Sequence, residues 1–331
     1  MQQRVGGMCP QTDLARRCLE LFEEFSLPEN SCVGDREWRK LHLAAWNGNT
    51  RLVKQLLQQG ETVDDRDELG WTPLHCSATN GHLATAKLLI QRGALISAQD
   101  DSGCTPLHHA AWNGHTHLTE MLLQRGTNAG AKNKAGLTPL HLAAANGHTL
   151  ITQLLLKQDK NPCVGDNNKW SPLHWATVSN HLHIMELLQE HGVSLELEAS
   201  GNVTPLHIAA ETGKLEALNY LMENGADVNV TDQLGQTALS MAASNGSLEV
   251  IQVLLGKKAQ IDVADKHGRT ALHKAAGGGH LGVVQLLVQN GASLKQMDSL
   301  GLTPMQRAAM LGHNAISQYL QDMEPIVENG N

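Results

Sequence analysis

The sequence predicts an all-α solenoid of about nine 33-residue helix-turn-helix units with hairpin loops between them. The first observation is a Thr-Pro-Leu-His phrase that recurs, with small variations, every 33 residues. The second is that small residues, a glycine and a leucine-rich segment follow nearly every copy. The third is an aromatic content of only 3% beside 41% hydrophobic residues, which favours closely packed helices. A degraded copy starts at Arg39, and the others start at Thr72, Thr105, Thr138, Ser171, Thr204, Thr237, Thr270 and Thr303.

Within a unit, each residue type has a local role that favours a pair of helices. The Thr caps the first helix through its hydroxyl, and Pro follows at the first helical position, where its missing N–H costs nothing. A glycine ends that helix by adopting a left-handed conformation. Leucine spacing, as in residues 83–90, then gives the second helix its apolar face. Another glycine ends this helix, and an Asp-x-x-Gly turn leads to the next Thr.

The repeats divide the chain into an N-terminal segment at 1–36, a repeat array at 37–323 and a short tail at 324–331. Residues 12–25 of the first part predict an amphipathic helix, and one stripe of it holds Leu14, Cys18, Leu21, Phe22 and Phe25. This helix would cover the exposed face of the first, degraded repeat, because end repeats need capping. The alternative is a helix that docks into a groove of a partner.

The 33-residue period and the T-P-L-H-x-A phrase resemble the ankyrin repeat over residues 37–323. The resemblance implies paired antiparallel helices with outward hairpin loops, stacked into a curved solenoid whose concave side consists of hairpins and first helices. It also implies a structural role for the phrase histidine, which in this family hydrogen-bonds locally and links neighbouring loops. Of the 18 histidines, most occupy this position or the joint between the two helices of a unit.

The remaining histidines do not indicate a metal site. His109 and His117 lie on different helices of one unit, and no carboxylate or cysteine stands at a recognisable ligand spacing from them. The sequence likewise shows no nucleophile elbow, no phosphate-binding loop and no paired carboxylates. We therefore expect no metal, no cofactor and no enzymatic activity.

The charge balance bears on the class of partner. The net charge is −8, and no run of Lys or Arg forms the basic surface that phosphate binding requires, so we expect neither nucleic acid nor a membrane as a partner. No apolar stretch is long enough to span a bilayer, and the first residues lack the apolar centre of a signal peptide. The six cysteines show no paired spacing, which is typical of a reducing compartment. We expect a monomer in the cytoplasm, with the nucleus as a second location.

Ankyrin arrays usually bind proteins at the position before Thr and at the position after Ala-Ala. Five of the six tryptophans fall at these places, and Trp is the residue most enriched at binding hot spots. Trp46 and Trp112, after Ala-Ala, are predicted to bind. Trp38, Trp71 and Trp170, before Thr, either bind or pack on the adjoining hairpin. Cationic residues of the last two units would complement an acidic stretch of the same partner, or form a solvated charged face. The predicted contact set is completed by Val178, Glu211, Arg269 and Lys274.

The sequence therefore predicts a non-catalytic protein-interaction scaffold that binds another protein on its concave face. A second hypothesis is the substrate-receptor or adaptor subunit of a ubiquitin ligase, since some ankyrin proteins carry a C-terminal ligase-recruiting box. Only EPIVENGN follows Met323, which is short for such a box, so recruitment would need the N-terminal helix.

A modification site is predicted in the loop that ends the sixth unit. The segment LMENGADVN, residues 221–229, is similar to the site that asparaginyl hydroxylase recognises in ankyrin proteins, with Leu221 eight residues before Asn229. The neighbouring units hold other residues at this place, such as Glu196 and Asp262. We expect Asn229 to be a substrate for hydroxylation.

The fifth unit departs most from the repeat pattern, because Lys169 and Asn180 stand where other units have glycine. Pro162 also enters the connection that precedes this unit. Since each repeat contacts only its neighbours, we expect the array to be weakest near residues 157–170.

Overall fold

The structure, a computed structural model, describes residues 39–158 and 161–329. These residues contain eighteen helices, and their one β-type pairing is a bridge between Thr231 and Thr237. The all-α prediction is confirmed. The helices are α1 (Lys40–Trp46), α2 (Thr50–Gln58), α3 (Pro73–Thr79), α4 (Leu83–Gln91), α5 (Pro106–Trp112), α6 (Thr116–Gln124), α7 (Pro139–Ala145), α8 (Thr149–Leu156), α9 (Pro172–Val178), α10 (Leu182–Glu190), α11 (Pro205–Thr212), α12 (Leu215–Glu223), α13 (Ala238–Asn245), α14 (Leu248–Gly256), α15 (Ala271–Gly278), α16 (Leu281–Gln289), α17 (Pro304–Met310) and α18 (Asn314–Asn329).

The helices form successive pairs, each with a first helix that follows the Thr phrase and a second helix that follows the glycine. Each first helix packs against its own second helix and against the first helices of the neighbouring units. Neighbouring first helices pack more closely than neighbouring second helices. Leucine, alanine and valine side chains from all units form a continuous core between the two helix layers. We call the surface made of the first helices and the hairpin loops the inner surface.

A buried histidine joins most units to the next one. In the third unit, the backbone N–H of Thr105 donates to Nδ1 of His108 at 3.1 Å, and Nε2 donates to the carbonyl of Leu137 at 3.1 Å. Burial lowers the pKa of His108 to about 4, so the neutral ring can donate from one nitrogen and accept at the other. The same bond to the next hairpin is made by His42, His75, His141, His174, His207 and His273.

A second histidine joins neighbouring units at the end of the first helix. His82 donates from Nε2 to the carbonyl of Trp46 at 2.8 Å. Its ring lies against Gly48, where φ is +64° and an added Cβ would come within 2.6 Å of Nδ1 of His82. Both the conformation and the space therefore require glycine at this position. Equivalent bonds are made by His115, His148, His280 and His313.

The fifth unit keeps the repeat geometry despite its unusual residues. Lys169 and Asn180 adopt left-handed conformations, with φ of 60° and 61°, as glycines do at these places in other units. Asn180 makes two bonds to the sixth unit: Oδ1 accepts from the backbone N–H of Ala217 at 3.1 Å, and Nδ2 donates to Glu216 at 2.8 Å. The weak joint near residues 157–170 stays a prediction.

The two ends of the array can be compared with the predicted boundaries. The predicted N-terminal helix at 12–25 and Trp38 lie outside the described residues. At the other end, α18 continues to Asn329, so most of the predicted tail at 324–331 belongs to the last helix. This helix packs on α16 and α17. None of the described helices is both long and apolar enough to cross a membrane.

Replacing Lys169 by glycine should stabilise the protein, because a side chain in the left-handed region costs about 1 kcal/mol that glycine avoids. We expect the free energy of unfolding to rise by about 0.5 to 1 kcal/mol, measured by urea denaturation. Asn180→Gly is the matched control, since it relieves the same conformation but removes two hydrogen bonds. We expect Asn180→Gly to gain less stability than Lys169→Gly. An equal rise in the free energy of unfolding of both variants would contradict this, because the two hydrogen bonds of Asn180 would then contribute nothing.

Candidate partner-binding surface

A column of aspartates, with an asparagine in the fourth unit, fixes the hairpin loops of the inner surface. In the third unit, Oδ1 of Asp100 accepts from the backbone N–H groups of Ser102 and Cys104 at 2.9 and 2.8 Å. These bonds satisfy the donors of the turn and hold the carboxylate beside the first helix. The same pattern is made by Asp67, Asn133, Asp166, Asp232, Asp265 and Asp298.

The second carboxylate oxygen of this aspartate reaches the first helix, at the residue directly after the phrase position. The oxygen lies 2.9 Å from Nε2 of His109 in the third unit, 3.2 Å from Nε1 of Trp175 in the fifth and 2.7 Å from Nη1 of Arg307 in the ninth. These pairs are not predicted from the sequence, because the partners lie nine positions apart in different elements. The signal available in the sequence is the recurrence of that nine-residue spacing.

The N-terminal end of the inner surface is aromatic. The ring centroids of Trp46 and Trp71 lie 6.3 Å apart, and those of Trp71 and His109 lie 4.5 Å apart in an edge-on arrangement. Trp46 is half-buried, whereas Trp71 is only 6% exposed. Trp71 therefore packs on its neighbours, and its contact with a partner stays a prediction, while Trp46 presents part of its ring to solvent.

A separate apolar cluster fills the inner surface of the fourth to sixth units. The rings of Trp170 and Trp175 meet edge-on with centroids 5.5 Å apart, and the half-buried Trp112 packs against the cluster. Trp170 is 2% exposed and Val178 is 6% exposed. The side chains of Trp170 and Val178 both pack in this cluster, and their contact with a partner stays a prediction. The other buried members are Leu137, Leu142, Ala145, Ala199, Val203 and Ile208.

Glu211 occupies the position after Ala-Ala in the sixth unit, where it is partly buried. Burial, and then the negative charge of Asp232, raise the pKa of Glu211 to about 7. Near neutral pH this carboxyl is divided between its protonated and its ionised form. The predicted contact residue can therefore act as a hydrogen-bond donor as well as an acceptor.

Arg269 and Lys274 share one aspartate. Nη2 and Nε of Arg269 lie 2.9 and 3.0 Å from Oδ2 of Asp265, and Nζ of Lys274 lies 3.6 Å from the same oxygen. The Lys274 side chain is only 7% exposed and also reaches Gln236 and Ser240 of the preceding unit. Its ammonium therefore joins two units from inside. Of the two predicted contact residues, Arg269 is the more accessible, with 26% of its side chain exposed.

His75, Asp100 and His109 place their ligand atoms within 4.8 Å of one another, a grouping that the sequence analysis misses. His109 is bonded to Asp100 at 2.9 Å. Both ring nitrogens of His75 are used, one by the backbone N–H of Thr72 and one by the carbonyl of Cys104. Burial, and then the charge of His109, lower the pKa of His75 to about 3. A metal would have to break the bonds that define the repeat, so we interpret the group as structural.

Asn229 lies in the loop after α12, where its side chain links two units. Its Oδ1 accepts from the backbone N–H of Gln260 at 2.8 Å, and its own backbone N–H donates to Asp227 at 2.9 Å. In the first unit, Asp64 makes the equivalent bond to the N–H of Leu95 at 2.9 Å. Asn229 is thus held in place and partly buried, so an enzyme would reach it when the loop opens locally.

Glu211→Gln should change how stability depends on pH. The folded pKa of Glu211, about 7, lies above its ordinary value of 4.5, so the unfolded chain loses this proton first and wild-type stability declines as pH rises between these values. The free energy of unfolding of the variant should exceed that of the wild type by about 2 to 3 kcal/mol at pH 8. Below pH 4.5 the two proteins should be equally stable. Urea denaturation across pH measures the difference. Glu249→Gln, on an exposed helix face, controls for the lost charge; equal profiles for both variants would contradict the prediction.

Asn229 should gain one oxygen on incubation with an asparaginyl hydroxylase, as measured by peptide mass spectrometry. Mild urea should raise the yield, because the hydrogen bond to Gln260 must open before the residue can enter an active site. Asn224, in the same loop, serves as an internal control and should stay unmodified. No added oxygen on Asn229, under conditions that modify a known substrate, would contradict the prediction.

Both the repeat sequence and the stacked helix pairs match known proteins. A family profile described as ankyrin repeats (three copies) matches residues 41–133, 116–199, 194–267 and 239–329. The crystal structure of the human ASB11 ankyrin repeat domain is similar, with a TM-score of 0.62 and 28% identity over 67% of this chain and 99% of that chain. The comparison with curated proteins found no match. Since the profile covers nearly all of the described residues, this chain belongs to the ankyrin repeat family.

Proposed function

We propose that this protein binds a protein partner along its inner surface and has no catalytic role. Ankyrin repeats generally mediate protein–protein interaction. The observation that carries the proposal is the placement of Trp46 and Trp112 at the ends of α1 and α5, half-buried beside apolar side chains. A large ring that is partly exposed over an apolar base is the usual form of an interface hot spot.

The two tryptophans are also held in position by the neighbouring units. The carbonyl of Trp46 accepts from His82 at 2.8 Å, and that of Trp112 accepts from His148 at 2.8 Å. Asn146 adds a second bond to the carbonyl of Trp112 at 3.2 Å. Fixing the backbone before binding reduces the entropy that a partner must overcome. This supports a preformed contact surface.

The inner surface contains one arrangement that looks catalytic. Asp100 bonds to the ring of His109 and to the backbone N–H of Cys104, and these three are the residue types of a cysteine hydrolase. However, Cys104 is only 1% exposed, and burial, followed by the charge of Asp100, raises the pKa of its thiol to about 12. A thiol in this state is a poor nucleophile. The chemistry of this group therefore supports a structural role and a non-catalytic protein.

The alternative, a substrate-receptor or adaptor subunit of a ubiquitin ligase, can be tested through the N-terminal segment at 1–36, which lies outside the described residues. Comparing the proteins captured by chains with and without this segment separates the two functions. Loss of cullin or elongin-type partners alone would favour the adaptor.

Trp46→Ala and Trp112→Ala should each weaken binding of a partner isolated by affinity capture by about 2 kcal/mol or more, or roughly 30-fold in Kd. The reason is the loss of a partly exposed ring over an apolar base. Calorimetric titration measures the change. Both rings are half-buried, so a moderate fall in thermal stability is expected as well.

Trp170→Phe is the matched control, because its ring is buried in the apolar cluster at 2% exposure. This variant should lower the melting temperature and leave the Kd of the folded protein unchanged. If the Trp46 and Trp112 variants, once verified as folded by circular dichroism, bind like the wild type, the partner site lies elsewhere.

A further inference from the structure

The hairpins of the eighth and ninth units form an open pocket of about 220 Å³ on the inner surface. Each of the two units contributes one arginine to this pocket. We call it the C-terminal pocket, and its lining residues are His267, Arg269, Asp298, Ser299, Leu300 and Arg307.

Buried aspartates hold both arginines in place. Arg269 donates from Nε to Asp265 at 3.0 Å, and Arg307 donates from Nη1 to Asp298 at 2.7 Å. Each aspartate side chain is 1% exposed, and its other oxygen accepts two backbone N–H groups of its hairpin. Burial opposes ionisation, but these hydrogen bonds outweigh it and lower the pKa of both carboxyls. The guanidinium groups are therefore fixed by carboxylates that stay charged.

The arginines keep donors for a ligand. A guanidinium carries five N–H donors in one plane. Asp265 engages two nitrogens of Arg269, and Asp298 engages one of Arg307. Their side chains are 26% and 20% exposed, so they are neither fully solvated nor fully buried. Two fixed guanidinium groups that line one pocket are suited to a planar anion such as a carboxylate.

The ninth unit, which holds Arg307, also carries exposed apolar side chains. Leu300 lines the C-terminal pocket and is 73% exposed. An exposed apolar group next to fixed charge is more typical of a binding site than of a solvated face. The other exposed apolar side chains of this unit are Met297 at 62%, Met310 at 60% and Leu311 at 49%.

Gly277, near the end of α15, leaves space beside the second arginine. A Cβ built at this glycine would lie 3.3 Å from Nε of Arg307 and 3.4 Å from Cδ1 of Leu311. In the first unit the same repeat position holds Trp46. The absence of a side chain at Gly277 therefore keeps both the guanidinium and its apolar neighbour accessible from the inner surface.

We propose that the C-terminal pocket binds a short acidic and apolar segment of a protein partner. A carboxylate side chain of that segment pairs with Arg269 and Arg307, and an adjacent apolar side chain packs on Leu300 and Leu311. The inference rests on the proposed function in one respect, that the partner lies along the inner surface. The C-terminal pocket can be tested separately from the tryptophans.

The test uses short random peptides displayed as a library and selected on the full chain. We expect the selected peptides to be enriched in Asp or Glu next to apolar residues. A selected peptide, labelled and titrated by fluorescence anisotropy, should bind the Arg269→Gln/Arg307→Gln variant at least about 10-fold more weakly than the wild type. Its binding to the wild type should weaken as salt rises. Arg125→Gln, at an exposed site outside the pocket, is the matched control and should bind normally.

Two further variants keep the test decisive if the arginine variant does not fold. Leu300→Ser removes an exposed apolar contact and leaves the two Arg–Asp pairs intact. Gly277→Leu fills the space beside Arg307, where the side chains of Arg307 and Leu311 must shift to admit it. Each should weaken peptide binding by about 5-fold or more, and Leu300→Ser should do so with little change in melting temperature. Trp112→Ala should leave the peptide affinity unchanged, so failure of the tryptophan prediction and failure of this one can be told apart.

Three results would overturn the inference. The first is a selection without acidic enrichment. The second is equal peptide affinity for the wild type and for the Leu300, Gly277 and arginine variants that fold. The third is a phosphoserine version of the peptide that binds at least about 10-fold more tightly than the Glu version and loses that advantage in the arginine variant, which would assign the pocket to a phosphopeptide.

Discussion

The contact on which the array depends is a buried, neutral histidine that donates to the hairpin of the next unit. Because the acceptor of His108 is the carbonyl of Leu137, the hydrogen bonding of one first helix is complete only when its successor is folded. An imidazole left without that acceptor would cost about 1 to 3 kcal/mol. Stacking, more than the small core of any one unit, therefore holds the fold together.

Two described units lack this histidine, the seventh and the ninth, and they flank the eighth unit, which carries Arg269 and Lys274 and keeps His273. Ser240 replaces the histidine in the seventh unit, and the buried Lys274 of the next unit lies 3.5 Å from the serine hydroxyl. Gln306 replaces it in the ninth unit, next to Arg307, and bonds back to its own Thr303. The ammonium of Lys274 thus bonds to the serine that stands in place of the histidine in the preceding unit. The C-terminal units of the inner surface therefore differ from the aromatic N-terminal units in the side chains that connect one unit to the next.

The register of the repeats is predictable from sequence, because Thr, Pro, His and Gly each have a backbone role at a fixed position. The inner surface is less predictable. Trp46 and Trp71 both stand at expected contact positions, yet one is half-buried and the other buried, since burial depends on side chains from neighbouring units. The pairing of Asp100 with His109 and the raised pKa of Glu211 also arise between separate elements. Such features need the coordinates.

The fixed spacing of the units limits what can occupy the inner surface. Trp46 lies in the first unit and Arg307 in the ninth, and at about 10 Å per unit they are separated by roughly 80 Å along the array. A compact domain of about 100 residues, with a radius of gyration near 13 Å, cannot reach both. A single occupant of both ends must be long, with an apolar segment at the first unit and an acidic segment at the ninth. Two shorter occupants would instead be brought together on one chain, and each would raise the local concentration of the other.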